Sequence, residues 1–418
     1  MRIFQERCVE RQEKIRLSLK IVLGGLALAL LLHVVLAGLV LRAGYPTDSF
    51  LFRPGLVFSD FYEGLENGNL NPYLGGAPNG RPNFAEFPRL PSNYPPFAHL
   101  PMWFLSLFGN ELAFFIYLAV CVGFVFATAA VALRADSRWR TALNAAGIAL
   151  ASYPFLFLLH RGNFEIFNYI LVWCFAYSYA KGKWTASSLW LGAACAFKPF
   201  ALPFFALFLD RDKFKAGLVG LLSMVLLTLS SFALMHGSVC ENARAMAANG
   251  AAYAVLYVRG IEGIAFGHSA FSFLRVAGGL FAGALPGAAS PLFMKAYMAA
   301  ALCAGGVLAC YALKARQLWQ ALALLAGAGT LLPYVSMDYR LLLLLIPFFH
   351  FVNATEKTPR DPFYCVLFSL LLVPKSYLYF WNTEISSSVL LNPLLIAVLC
   401  AAVMRDIIVA RRTETYAQ

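Results

Sequence analysis

The polar residues that could do chemistry in this 418-residue chain flank its apolar segments. Ionisable groups beside long apolar segments are costly to keep there, and those that persist usually have a function. These residues come from positions far apart in the sequence, as the parts of one composite site would. They are Asp60 and Glu63 in Ser-Asp-Phe-Tyr-Glu, Tyr94 before Pro95-Pro96, Arg161, Asn163 and Glu165 in His-Arg-Gly-Asn-Phe-Glu, Lys198 before Pro199, Asp338 and Arg340 in Asp-Tyr-Arg, and Lys375.

The set combines carboxylates with several cations. A carboxylate can take the proton from an attacking hydroxyl group, while Arg and Lys can hold a phosphate group and stabilise its charge as it leaves. This combination suits the transfer of a group from a lipid-linked phosphate, with Asp60 as the candidate base. Asp60 could equally cap a helix or be an ordinary surface acid. A purely structural role for Lys198 is disfavoured, because an unpaired buried ammonium group is expensive.

Other members of the set also have structural interpretations. Arg161 and Glu165 are four residues apart and could form an ion pair on one helix. Arg340 and Lys375 could contact lipid phosphates at the membrane surface. The residue types alone leave these alternatives open.

The composition predicts that helices in a membrane position these residues. Hydrophobic residues make up 60% of the chain and charged residues only 13%, against about a quarter charged in soluble domains. Apolar runs near or above the spanning length of ~18 residues recur throughout the chain, which leaves no stretch for a separate soluble domain. We predict an all-α, polytopic membrane protein with about twelve transmembrane helices, forming a single domain over residues 1–418.

The predicted crossings alternate between two sets of loops. Short basic clusters fall in one set, which the positive-inside rule assigns to the cytoplasm, so both termini are predicted inside. A cytoplasmic leader (1–19) precedes the first crossing, a long outer loop (43–110) holds a short interfacial or re-entrant helix at 97–108, and a second large outer loop covers 236–290. The predicted crossings are 20–42, 111–133, 141–159, 164–180, 184–197, 200–209, 216–235, 291–313, 317–332, 341–352, 362–373 and 388–404.

The charge pattern and the cysteines argue against two other classes of function. The net charge of +12 is spread over short clusters between apolar runs, whereas nucleic-acid binding needs a basic patch on one folded face. The nine cysteines are scattered, with no CxxC pair and no spacing typical of metal ligands. We therefore predict no nucleic-acid partner, no metal and no cofactor.

Several motifs resemble those of a known family. Asp60 in a long first outer loop, followed by Tyr94-Pro95-Pro96-Phe97 and a short amphipathic helix, resembles the class C integral-membrane glycosyltransferases. The later motifs are similar to glycosyltransferase family 87, which contains polyprenyl-phosphate-mannose-dependent mannosyltransferases, over about residues 58–347. These motifs are Arg161-Gly162-Asn163 followed by Gly182, the stretch LGAACAFKP at 191–199, and Ser336-Met337-Asp338-Tyr339-Arg340-Leu341.

The resemblance implies a hexosyltransferase of the cell envelope. Such an enzyme moves a mannose-like sugar from a polyprenyl-phosphate donor to a lipid or glycan acceptor, on the extracytoplasmic side of the inner (plasma) membrane and among its lipids. It implies that Asp60 is the catalytic base for the acceptor hydroxyl and that Lys198, Arg161 and Arg340 bind the donor phosphate. The other expected substrate-binding residues are Glu63, Tyr94, Asn163, Glu165 and Asp338.

Two other classes of protein fit parts of the pattern. A secondary transporter or a flippase for lipid-linked sugars should carry ionisable residues near the bilayer midplane, on broken helices in two repeated halves. Here the polar residues favour one side of the predicted membrane, and no two halves match. A non-catalytic assembly subunit would leave Asp60 and the cations unexplained.

Overall fold

The computed structural model describes residues 2–40, 57–66, 70–73, 92–354, 356, 358–381 and 383–417. Within these ranges the chain is helical without any β-strand, which confirms the predicted all-α class. The α-helices are α1 (Arg2–Val40), α2 (Ser59–Glu66), α3 (Leu100–Ser106), α4 (Asn110–Ala132), α5 (Arg138–Ala145), α6 (Tyr153–Arg161), α7 (Glu165–Ala180), α8 (Trp184–Phe197), α9 (Phe214–Leu234), α10 (Val239–Tyr253), α11 (Ala270–Ala282), α12 (Pro291–Leu313), α13 (Leu318–Leu331), α14 (Leu345–Val352), α15 (Asp361–Leu371) and α16 (Ser388–Ala417). The remaining helical segments are the 3-10 helices Pro96–His99, Pro199–Phe208 and Asp338–Leu344 and the π-helical turns Ala146–Leu150 and Ala254–Arg259.

Five helices of the described chain are long and apolar enough to cross a membrane, in agreement with a polytopic membrane protein. A sixth candidate is the pair Arg138–Leu150 and Tyr153–Arg161, which is bent by 64° at its break and covers the predicted crossing at 141–159. Residues 2–19 of the predicted leader form the helical start of α1. The five single-helix candidates are Val9–Leu32, Asn110–Ala132, Phe214–Leu234, Pro291–Leu313 and Ser388–Arg412.

The predicted number of about twelve crossings is not confirmed, because several of the apolar helices are too short. A helix of 14 residues, such as α8 or α13, rises only about 21 Å, against a hydrocarbon core of about 30 Å. Every residue of α13 from Trp319 to Thr330 is buried within the protein, whereas α12 exposes most of its surface. A helix that is apolar on all sides and packed by protein belongs to a core, and hydropathy alone does not separate it from a membrane span.

The chain divides into two compact units. Unit 1 comprises Met1–Phe52, Val122–Phe157 and Gly263–Gln418, and unit 2 comprises Arg53–Cys121 and Leu158–Glu262. In unit 1, α13 packs against α12, α14 and α16, and α1 packs against α15. In unit 2, α8 packs against both α7 and α9, and the 3-10 helix Pro96–His99 lies against α8 and α9.

Small residues allow a close approach of α8 and α9 in unit 2. A Cβ atom on Gly192 would clash with the carbonyl oxygen of Gly220, and one on Gly220 would lie 2.5 Å from the carbonyl oxygen of Ser188. Such contacts let helix backbones pack directly, as is common between helices in membranes. This packing sets the position of the C-terminal end of α8, which carries Lys198.

Candidate active site

Asp60 lies in the first turn of α2, and a reversal of the chain at Gly162 brings its partners to it. Gly162 has φ +66, and a Cβ atom there would lie 2.7 Å from the Cβ of Phe61 on α2. The conformation and the close approach both favour glycine. The backbone N–H of Phe58, just before α2, donates a hydrogen bond to the carbonyl of His160 at 2.7 Å. The segment that follows α6 therefore runs directly against the start of α2.

Both carboxylate oxygens of Asp60 accept short hydrogen bonds. Arg161 Nη2 donates to Oδ1 at 2.6 Å, and Asn163 Nδ2 donates to Oδ2 at 2.6 Å. The side chain of Asp60 is 17% exposed and that of Arg161 is 25% exposed. Ser59 Oγ also donates to Oδ1, at 3.3 Å. A carboxylate has about four lone-pair sites, so these three bonds orient Asp60 and still leave acceptor capacity for a substrate hydroxyl.

Asn163 is itself held in one orientation. Its Oδ1 accepts a hydrogen bond from the backbone N–H of Glu165 at 2.9 Å, at the start of α7, and its carbonyl accepts one from the hydroxyl of Tyr117 at 2.9 Å. Because Oδ1 accepts, the amide nitrogen is the atom that points to Asp60. Asn163 therefore connects the Asp60 carboxylate to the N-terminus of α7.

A fully buried ion pair lies at the other end of this connection. Lys198 Nζ donates to Glu165 Oε2 at 2.8 Å, with side chains 2% and 0% exposed, and Asn168 Nδ2 donates to the other carboxylate oxygen at 2.6 Å. The ammonium group also lies over the rings of Tyr94 and Phe164, with its Nζ atom 5.0 and 5.6 Å from their centroids. Cation–π contacts of this kind strengthen in a desolvated site.

The backbone explains why Lys198 projects from α8. The residue before a proline is driven out of the α region and into extended conformations, and Lys198, which precedes Pro199, has φ −150 and ψ 126. The helix therefore ends at Phe197, and Lys198 turns toward α7. Arg161 ends α6 and Glu165 begins α7, so the interpretation that the two residues share one helix is wrong. Arg161 pairs with Asp60, and Glu165 pairs with Lys198.

Unit 1 holds a second polar cluster around Asp338. Asp338 Oδ2 accepts a hydrogen bond from Tyr153 Oη at 2.6 Å. Asp338 Oδ1 accepts one from Asn392 Nδ2 at 3.0 Å and lies 3.2 Å from His268 Nδ1. The other nitrogen of His268 lies 2.8 Å from the hydroxyl of Ser336. The side chains of all five residues in this cluster are fully buried.

Arg340 and Lys375 are buried in the same unit. Arg340 Nη1 donates to Ser336 Oγ at 3.0 Å, and Lys375 Nζ donates to the carbonyls of Leu370 and Val373 near the end of α15, each at 2.5 Å. Burial lowers the pKa of Lys375 to about 7, while the charge of Asp338 raises it. Because both cations are buried, contact with lipid phosphates does not account for them.

The structure thus brings Asp60, Arg161, Asn163, Glu165, Lys198 and Tyr94 together in unit 2, whereas Asp338 and Arg340 belong to unit 1. Glu63 lies one helical turn after Asp60 and is exposed. Asn168, Tyr153 and Asn392 were not predicted from the sequence as members of a site. Their only signal was a single polar group within an apolar run. Among the residues that the structure describes, no three His, Cys, Asp or Glu side chains are grouped closely enough to hold a metal ion.

The buried pair gives a prediction about stability. Lys198→Met leaves the Glu165 carboxylate buried without its cation, so we expect a loss of roughly 3–5 kcal/mol in the free energy of unfolding. The double variant Lys198→Met with Glu165→Gln removes both charges and should recover most of the lost free energy of unfolding. Thermal unfolding of the purified protein measures both effects, and Lys183→Met, at an exposed lysine, is the control expected to change little. A single variant as stable as the double variant would contradict the ion pair.

Comparison with known proteins agrees with the resemblance seen in the sequence. Glycosyltransferase family 87 matches residues 93–337, more than half of the chain. The matched region includes Tyr94, Arg161, Glu165 and Lys198, while Asp60 precedes it. None of the curated proteins matches the chain. The chain therefore belongs to glycosyltransferase family 87, and it is a membrane glycosyltransferase.

Proposed function

We propose that the protein transfers a hexose, mannose-like, from a polyprenyl phosphate to an acceptor hydroxyl on the extracytoplasmic face of the inner membrane. The observation that carries this proposal is the geometry of Asp60. It is a partly exposed carboxylate with both oxygens oriented by hydrogen bonds, next to a guanidinium group. General-base catalysis needs an oriented carboxylate that a substrate can reach. Membership of a glycosyltransferase family favours this reaction over transport of a lipid-linked sugar.

The reaction assigned to this site is a displacement at the anomeric carbon of the donor sugar. Asp60 takes the proton of the acceptor hydroxyl while the hydroxyl oxygen bonds to the anomeric carbon. The bond from that carbon to the phosphate oxygen breaks, and polyprenyl phosphate leaves with the electron pair. An orienting hydrogen bond and a neighbouring base together lower the barrier of such a step.

The proposed role of Arg161 is to hold the leaving phosphate beside Asp60. A guanidinium group carries five N–H donors in a fixed plane, so one arginine can bridge a carboxylate and a phosphate, and its charge stabilises the leaving group. Lys198 is the second proposed phosphate ligand, although its charge is already compensated by Glu165. Arg340, which the resemblance also implies as a phosphate ligand, is buried in unit 1 and has no role in this proposal.

Three of the remaining residues are proposed to bind the sugars. Tyr94 offers an aromatic ring beside Lys198, and Asn163 offers an amide beside Asp60. Carboxylates accept hydrogen bonds from sugar hydroxyls, which is the role proposed for the exposed Glu63. Glu165 and Asp338 were also predicted to bind substrate, but both side chains are fully buried and already accept hydrogen bonds from other side chains, so neither is proposed to contact the sugar. The sugar is proposed to be mannose-like only because family 87 contains mannosyltransferases.

The role of Asp60 is tested by removing its charge. Asp60→Asn keeps the size of the side chain and much of its hydrogen bonding, but an amide does not accept the acceptor's proton. We expect the variant to fold and bind donor and yet to lose transfer by about 10²-fold or more. The measurement is transfer of radiolabelled sugar from a polyprenyl phosphate to extracted envelope lipids. The matched control is Glu63→Gln, at an exposed acid on the same helix, and it should reduce transfer less than Asp60→Asn does.

Near-normal transfer by Asp60→Asn would place the base elsewhere and would contradict the assignment of Asp60. Loss of folding in the variant is separated from loss of chemistry by its thermal unfolding midpoint. An unchanged midpoint with lost transfer supports the assignment of Asp60.

The proposed sidedness makes a second prediction. Reporter fusions after Arg412 should be active only as cytoplasmic reporters, because both termini are proposed to lie inside, and fusions at Gly250 only as exported reporters. Fusions at Arg138 and Lys213, in basic clusters, should behave as cytoplasmic. An exported signal at either basic cluster would overturn the proposed topology and the extracytoplasmic site with it.

A further inference from the structure

Tyr94 lies over the buried ion pair of unit 2 and is itself only half-buried. The centroid of its ring is 5.0 Å from Lys198 Nζ, and the ring packs edge-on against Phe164 with their centroids 5.3 Å apart. The side chains of Lys198 and Glu165 are only 2% and 0% exposed, and Phe164 is also buried. A ligand at this ion pair therefore reaches the ring of Tyr94 more readily than either charge.

Hydrogen bonds hold the backbone of Tyr94 on both sides of its side chain. Its N–H donates to Ser92 Oγ at 3.1 Å, and its carbonyl accepts a bond from Tyr73 Oη at 2.6 Å. Ser92 Oγ also lies 2.9 Å from His99 Nε2. Because Pro95 follows, Tyr94 is restricted toward extended conformations. The two bonds and the proline together fix the peptide groups from which the ring projects.

Tyr73 is itself anchored by its packing. It is 3% exposed and lies in an apolar cluster with Phe232 and Met235 at the C-terminal end of α9, and its ring meets that of His99 edge-on at 5.6 Å. Burial raises the pKa of Tyr73, so its hydroxyl keeps its proton and remains a donor. Burial lowers the pKa of His99 to about 3, so the imidazole beside it stays neutral. The position of Tyr94 is therefore tied to the end of α9.

A residue of α10 joins the two chain segments that hold Tyr94. Asn249 Nδ2 donates to the carbonyl of Ser92 at 3.0 Å and to that of Tyr73 at 3.3 Å. An amide nitrogen has two N–H donors, so both are used here. The N–H of Ser92 adds a bond to the carbonyl of Pro72 at 3.1 Å. We call the three residues Tyr73, Ser92 and Asn249 the clamp.

We propose that the clamp residues are positioning residues, which hold the ring of Tyr94 where the donor sugar contacts it. This inference rests on the proposed function, in which Tyr94 binds a sugar beside Lys198, a ligand of the donor phosphate. The sugar of a polyprenyl-phosphate donor is bonded directly to that phosphate, so a ring beside a phosphate ligand contacts the donor rather than the acceptor. Bonds that orient a binding group before its ligand arrives reduce the cost of binding.

Matched variants separate positioning from a purely structural role. The clamp variants are Tyr73→Phe, which removes a hydroxyl bonded to a backbone carbonyl, and Asn249→Asp, which removes an amide bonded to two of them. In unit 1, Tyr297 Oη donates to the carbonyl of Leu332 at 2.8 Å, and Asn353 Nδ2 donates to two backbone carbonyls at 2.9 and 2.7 Å. The control variants, Tyr297→Phe and Asn353→Asp, therefore remove the same kinds of bond.

The first measurement is hydrogen–deuterium exchange of the protein in lipid nanodiscs. The stretch between Pro91 and Pro95 has three backbone N–H groups. Two of them, those of Ser92 and Tyr94, donate hydrogen bonds within or beside the clamp. We expect exchange in this stretch to be about fivefold faster in each clamp variant, the usual effect of one lost hydrogen bond, and unchanged in each control variant.

The second measurement is transfer kinetics, with donor and acceptor varied separately. Each clamp variant should raise the KM for the polyprenyl-phosphate sugar about fivefold and leave the KM for the acceptor unchanged. The control variants should lower the thermal unfolding midpoint by a similar amount and change neither KM. Because the clamp acts through Tyr94, Tyr73→Phe should have no further effect on the donor KM once Tyr94→Ala is present.

Unchanged exchange between Pro91 and Pro95 in both clamp variants would overturn the clamp. A raised KM for the acceptor alone would overturn the assignment to the donor, and so would an additive effect of Tyr73→Phe on Tyr94→Ala. If Asn249→Asp does not fold, Tyr73→Phe, which lacks a single hydroxyl group, decides both measurements. If the wild type transfers no polyprenyl-phosphate sugar, the proposed function and the donor role fail together, while exchange still decides whether the clamp holds Tyr94.

Discussion

Two ion pairs in unit 2, Arg161–Asp60 and Lys198–Glu165, are linked by Asn163, and the candidate site depends on this arrangement. Asn163 joins the two pairs through its side-chain amide. A buried charge without a partner is costly, so each carboxylate holds its cation in place. The two acids nevertheless differ in access. Glu165 is fully buried, whereas the side chain of Asp60 is 17% exposed, so Asp60 is the acid that a substrate can reach.

This arrangement also limits how a phosphate can use the cations. Lys198 is 2% exposed and lies between two aromatic rings and Glu165, so a donor phosphate that contacts it must enter an existing ion pair. Arg161 is 25% exposed, and its planar group can meet two anions at once. In the proposed reaction Arg161 is therefore the main group that stabilises the negative charge on the leaving polyprenyl phosphate. Lys198 mainly fixes α7 relative to the end of α8, because its ion pair joins residues at those two positions.

The class of the protein could be predicted from composition, because a chain with 60% hydrophobic and only 13% charged residues has far fewer charges than the surface of a soluble domain needs. The number of crossings could not be predicted in this way. Hydropathy does not distinguish a helix that faces lipid from a helix such as α13, which is covered by protein along most of its length. The pairing of Arg161 and Glu165 failed for a related reason. The spacing of four assumes one helix, but Gly162, with φ +66, separates the end of α6 from the start of α7.

The most direct test of the central claim is the donor requirement of the purified protein. Wild-type protein in liposomes is given an extract of envelope lipids and either a labelled polyprenyl-phosphate hexose or the corresponding labelled nucleotide sugar, and products are identified by mass spectrometry. The proposed function predicts a new glycosidic bond and released polyprenyl phosphate with the first donor, and no product with the second. Product from the nucleotide sugar alone, or label that crosses the bilayer without a new glycosidic bond, would contradict it.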